Sequence, residues 1–137
     1  MKHKTDTHIN RGNVLSTEEK SPSVAMEHLS VAVTRGKGSS AITTGDGSSS
    51  VAYEDESHAI AMGANALAAA MGRNSIAECL GPDGTVAAGL NGIILMAYLD
   101  KKSNRTRLRV GYAGEDGIVV GQPYKLDEDG NFVAVSV

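Results

Sequence analysis

The chain has no tryptophan, one phenylalanine and four tyrosines, so aromatics make up 4% of its 137 residues. A globular core of ordinary thickness leans on more large rings than that, and such a core is excluded. Cys79 is the only cysteine, which excludes an intramolecular disulfide. No apolar run of signal-peptide length occurs in Met1–Lys20, where Ile9, Val14 and Leu15 stand isolated among polar neighbours. The apolar stretch Ile93–Leu99 is far too short to span a bilayer. Neither a leader nor a membrane anchor is expected, and the expected location is cytoplasmic. Nor is there a basic excess: 13 basic against 16 acidic residues give a net charge of −3. A general nucleic-acid binder needs many cationic phosphate contacts, so nucleic acid is not an expected partner.

What the chain has is small residues: 17 Ala, 16 Gly and 13 Ser, concentrated between Ser23 and Gly92. Within that span a three-residue unit recurs, a small polar residue, a variable one, then Ala. It stands at Ser23-Val24-Ala25, Ser30-Val31-Ala32, Ser39-Ser40-Ala41, Ser50-Val51-Ala52 and Ser57-His58-Ala59, with looser copies to Thr85-Val86-Ala87. The alanines recur about every nine residues, with turn residues such as Gly36-Lys37-Gly38, Gly45-Asp46-Gly47 and Gly81-Pro82-Asp83-Gly84 between them. Two units, near 18 residues, predict one flattened coil of a β-solenoid, stable only by stacking on its neighbours.

A helix from Ser57 to Leu80 competes with that reading, because alanine is abundant there. Gly63 and Gly72 weaken it, each costing about 1 kcal/mol relative to Ala. The unit Asn74-Ser75-Ile76-Ala77 keeps the spacing set outside the segment, which decides for the solenoid.

The organisation expected is a polar N-terminal arm over 1–22, solenoid repeats over 23–91 and an antiparallel β cap over 92–137. In the cap, Ile93–Leu99 reads as a buried strand and Arg105–Val110 as a half-buried one. Gly117–Val120, Tyr124–Leu126 and Phe132–Val135 read as short strands, the last two around an Asp127–Asn131 turn. The cap would cover the open end of the solenoid.

The Ser-x-Ala ladder with Gly turns resembles the head repeats of trimeric autotransporter adhesins of the YadA type, although only Asn74-Ser75-Ile76-Ala77 matches their tighter unit. Residues 23–137 more closely resemble a set of small uncharacterised bacterial and phage proteins. Those join the same ladder to a terminal element, here Tyr124-Lys125-Leu126 followed by Gly130-Asn131-Phe132-Val133-Ala134-Val135. The resemblance implies a fold and carries over no catalytic residue.

Candidate chemistry is sparse. Thr34–Ser40 lacks the spacing and following helix of a phosphate loop and reads as a turn. Gly45-Asp46-Gly47 cannot supply the oxygens calcium needs. Cys79 and His58 could pair as nucleophile and base, but no third group is evident and Glu78 opposes a thiolate. His3, His8 and His28 show no zinc spacing. No catalytic residue, metal or cofactor is therefore expected.

Period two puts Ala25, Ala52, Ala59, Ala61, Ala77 and Cys79 on one phase. It puts Val24, Met26, Val51, Tyr53, His58, Ile60, Met62, Leu67 and Ile76 on the other. A thin interior takes the first set, which leaves an apolar row facing outward. The expected function is non-enzymatic protein binding through flat surface, with no cleft of small-molecule size. The candidate residues are Tyr53, Ile60 and Met62, together with Arg105, Arg107 and Arg109 for an acidic partner. Size and resemblance favour an inhibitor, either an immunity protein that neutralises a toxin or a phage inhibitor of a host factor. The alternative is a structural adhesin-head or virion-decoration subunit, and homo-oligomerisation is left open.

Overall fold

The computed structural model describes residues 8–10 and 12–135; the arm residues 1–7, including His3, lie outside them. The described residues form strands and turns without a helix. Ten short strands pair off into about five coils. They are β1 (His8–Asn10) and β2 (Val14–Ser16), β3 (Ser23–Ala25) and β4 (Val31–Thr34), β5 (Ser40–Thr43) and β6 (Ser49–Ala52), β7 (His58–Ala61) and β8 (Leu67–Ala70), β9 (Ile76–Cys79) and β10 (Thr85–Ala88). Then come a long hairpin, β11 (Ile93–Asp100) and β12 (Arg105–Tyr112), and a short one, β13 (Tyr124–Leu126) and β14 (Phe132–Ala134).

Odd strands stack in parallel as one sheet that ends β9-β11-β12, and even strands as a second that ends β8-β10-β13-β14. The register advances 18 residues per coil, as in Ala41↔Ala59↔Ala77 and Ala32↔Ser50↔Ala68↔Val86. The solenoid prevails over the helix throughout Ser57–Leu80, which holds β7, β8 and β9. It also starts before residue 23, since β1 and β2 lie in register under β3 and β4.

The turn supplies the local reason for this sequence. Its last residue takes a left-handed φ in coil after coil: Lys20, Leu29, Gly38, Gly47, Glu56, Asn65, Asn74, Asp83 and Asn91 lie between 54° and 69°. Gly, Asn and Asp accept that conformation most readily. Earlier in the turn, Gly63 passes so close over Gly45 that a Cβ would overlap the Gly45 carbonyl oxygen, and Gly81 repeats the contact over Gly63.

The serine that follows the turn closes each corner. Ser21 N–H donates to Ser39 Oγ (3.1 Å), and the Ser39 hydroxyl donates to the Glu18 carbonyl (2.9 Å). Ser30 with Ser48, and Ser57 with Ser75, repeat the first bond one coil apart. These bonds satisfy buried backbone groups that strand pairing misses.

Inside, both sheets contribute alanines with no exposure at all, among them Ala25, Ala32, Ala41, Ala59, Ala68 and Ala77. The N-terminal coils also bury hydroxyls: Thr43 Oγ1 lies 3.0 Å from Ser50 Oγ, which donates to the Ile60 carbonyl (2.6 Å). Ser16 and Thr34, partners across β2 and β4, bury hydroxyl oxygens that have no hydrogen-bond partner among the described residues. Toward the C-terminus the interior widens. Val86, Ile94, Met96, Ile118 and Tyr124 join the core, with Leu126 and Phe132 packed against it. Each such side chain contributes about 1.5–3 kcal/mol on burial, against about 0.8 for one methylene-sized group. The plug therefore anchors a solenoid whose own rungs bury little.

Two expectations for the cap are corrected. Gly117–Val120 is not a strand but a turn, in which Gly114 N–H bonds the Ile118 carbonyl (2.7 Å) and Ile118 drops into the core. The strand Arg105–Val110 is not half-buried; it is exposed on both sides, because β12 lies beyond the last coil and no layer faces it.

Gly63→Ala is expected to destabilise the protein by about 1–3 kcal/mol, because the added methyl must displace backbone. Thr34→Val is expected to be neutral or to stabilise by about 1 kcal/mol, because it replaces an unpartnered buried hydroxyl with a methyl of the same shape. Urea denaturation of each variant beside the wild type checks both signs.

Candidate protein-binding face

The outward positions of the first sheet line up across the coils. One row runs Val24, Ile42, Ile60, Glu78, Leu95, Val110, and the next runs Ser40, His58, Ile76, Ile93, Tyr112. Met62 and Leu80 follow β7 and β9 and continue the ladder, their N–H groups bonding Thr43 and Ala61 carbonyls. Leu108 lies beyond them, opposite Ala97. Met62 is 49% exposed, Leu80 40% and Leu108 59%. The result is a flat apolar face with a single carboxylate, Glu78, whose Oε1 is 3.8 Å from His58 Nε2.

The candidate residues do not all share this face. Ile60 and Met62 lie on it. Tyr53 follows β6 and belongs to the second sheet, where Arg35 stacks 5.5 Å from its ring. The 18-residue coil puts alternate units on opposite sheets, so Tyr53 and Ile60 point to opposite sides although seven residues apart. Leu80, Leu108, Val110 and Tyr112 complete the face and were not singled out in the sequence. Stepping one coil forward from Met62 would have found Leu80.

The three arginines do share a side. Arg105, Arg107 and Arg109 stand opposite Asp100, Tyr98 and Met96, on the phase that continues the solenoid's interior. Arg107 Nε donates to Asp100 Oδ2 (2.7 Å), and the Ser103 hydroxyl donates to the same oxygen (2.9 Å). These bonds hold the Asp100 carboxyl down at about 2, the Arg107 hydrogen bond being the largest cause. The Arg109 guanidinium lies 5.6 Å from the Tyr98 ring centre. Between this hairpin and the Asp127–Asn131 turn is an open cleft of about 660 Å³, lined by Tyr98, Asp100, Lys101, Arg109, Glu128 and Asn131 among others. Its size corrects the expectation of no small-molecule-sized cleft. The thin interior does lack room, but the hairpin projects past the coils and makes a trough with the neighbouring turn.

The remaining candidates serve the fold. Asp46 Oδ1 accepts the Ala64 N–H one coil up (2.9 Å), and Lys37 lies in a turn 3.9 Å from Glu56. Cys79 faces inward and His58 outward, so they do not meet. The Cys79 thiol lies 3.3 Å from the Thr85 carbonyl and 3.4 Å from that of Ala66. Desolvation by burial pushes its pKa up to about 11, against an ordinary 9.0. Among the described residues no three His, Cys, Asp or Glu side chains are placed to hold a metal ion, and no helix is long and apolar enough to cross a membrane. No family model, curated protein or solved structure compared with the chain matches it.

The folded chain holds the Cys79 proton more tightly than the unfolded chain does. The stability this contributes is fully present below pH 9 and is lost as pH rises to about 11. Two outcomes are expected. Ellman's reagent at pH 8 should react with Cys79 only after denaturant is added. The stability of wild type relative to Cys79→Ala should fall across pH 9–11, as followed by urea titrations.

Proposed function

We propose that the chain is a non-enzymatic protein-binding module that meets its partner through the outer face of the first sheet. The observation that carries this is the continuity of the apolar rows from β3 to β12 with one carboxylate among them. Water-exposed apolar area of this extent is unusual on a monomer that binds nothing. A face made of ladder-bonded strands also loses little conformational entropy on association. Met, Tyr and branched aliphatic side chains supply contact area at interface cores, with charge kept to the rim. The inhibitor form of this reading, a rigid slab that covers the working surface of a toxin or host factor, draws on the chain's small size and its resemblance to small bacterial and phage solenoid proteins.

Met62→Lys combined with Leu80→Lys should leave the fold intact, since both side chains are already exposed. It should weaken partner binding by at least about 2 kcal/mol, or about 30-fold, if they sit at the interface core. Affinity capture with wild type and variant identifies the partner, and titration calorimetry then gives both affinities. Unchanged affinity would remove this face. A concentration-dependent doubling or tripling of mass by light scattering, abolished in the variant, would assign the face to a structural oligomer instead.

A further inference from the structure

The first sheet ends in β12, an eight-residue strand with one neighbour and no bulge or proline. Its free edge can be read residue by residue. Ala113 N–H bonds the Gly92 carbonyl, and on the other side of β11 Ile93 N–H bonds the Ser75 carbonyl. Backbone groups alternate in direction along a strand. Those of Arg105, Arg107 and Arg109 therefore point to β11, while the N–H and C=O groups of Thr106, Leu108 and Val110 point away from the sheet. An edge of this length is a template for another strand.

The side chains specify what that strand would be. On one side of the sheet Leu108 and Val110 extend the apolar face. On the other stand Arg105, Arg107 and Arg109. Among the described residues Arg105 and Arg109 have no carboxylate within 4 Å; only Arg107 is paired. Residues 100–110 carry five basic side chains and one acidic, in a chain that is net negative. A second copy fits poorly. An antiparallel β12–β12 pair joined through its outward groups would set arginine opposite arginine on the same side, and like charges directly opposite destabilise.

We propose that β12 takes up an extended segment of a protein partner as an added antiparallel or parallel strand, the segment alternating acidic and apolar residues. Its backbone would complete the bonds of Thr106, Leu108 and Val110. Its apolar residues would pack beside Leu108 and Val110, and its carboxylates would lie over Arg105 and Arg109. This rests on the reading that the chain binds a protein, and it names the mode and the chemistry.

The probes are eight-residue peptides alternating Glu with Val or Ile, titrated into the ¹⁵N-labelled full chain. The amides of Thr106, Leu108 and Val110 are expected to shift and to gain protection from hydrogen exchange. Val110→Pro removes one outward N–H without touching the β11 ladder and should weaken binding at least tenfold, as should Arg105→Glu with Arg109→Glu. Should the proline variant not fold, wild type with peptides N-methylated at alternate residues gives the same information, since one of the two methylation phases should abolish binding. Met62→Lys with Leu80→Lys should leave peptide binding within twofold, so the edge and the face are judged separately. The proposal is overturned if no peptide perturbs the β12 amides, if Lys-for-Glu peptides bind as well, or if the proline variant folds and binds normally. Protection of the β12 amides in the free protein together with a doubled mass would show that a second copy holds the edge.

Discussion

Everything in this molecule follows from the distance between successive coils. Paired strands lie about 4.8 Å apart, and the chain must come back over itself at that spacing at every corner. There, backbone meets backbone: Gly63 rests on the Gly45 carbonyl and Gly81 on that of Gly63, with no space for a Cβ. The left-handed residue that ends each turn and the serine that follows it serve the same closure. The serine hydroxyl both accepts an N–H from the coil on one side and donates to a carbonyl on the other. Where Ala66 and Gly84 replace serine, the Cys79 thiol has moved into the corner, and a Cβ on Gly84 would press against its sulfur.

Tight coils of nine-residue halves enclose little volume, and alanine fills it. The protein then has few places for large side chains. They collect in the C-terminal plug, where Ile94, Met96, Ile118 and Tyr124 close the interior, or they face outward on the sheets. A fold with no internal room for a ligand is left with surface to work through, and its stacked strands hold that surface rigid. The same economy explains the burial of Cys79, which fills a widening interior and has its thiol proton secured by desolvation.

The hairpin β11–β12 breaks the solenoid's rule and gives the molecule its asymmetry. β11 continues the parallel stack for four residues and then runs on past the last coil, with β12 turned back along it. The interior phase of both strands, no longer enclosed, becomes a place for Tyr98, Asp100 and the arginines. The outer phase stays apolar. One strand thus carries charge of one sign on one side and aliphatic surface on the other.

The solenoid itself was legible in the sequence because its cause is local. Every corner needs the same small residues, so Ser-x-Ala and the Gly turns recur at the coil spacing, and period two separates Ala59, Ala61 and Ala77 from Ile60 and Met62. That logic held even across the alanine-rich Ser57–Leu80, where helix propensity pointed elsewhere. What repetition could not supply was anything that depends on which sheet a unit joins or on what lies over it. Tyr53 and Ile60 share a phase along the chain but stand on opposite sheets, since the chain turns a corner between them. Arg105–Val110 has the alternation of a half-buried strand, yet both its sides are open, because burial requires a second layer and the coil ends before reaching it. The repeat and its thin core are set by the residues in each turn, whereas the extent of the apolar face and the free edge of β12 are set by where the stack stops.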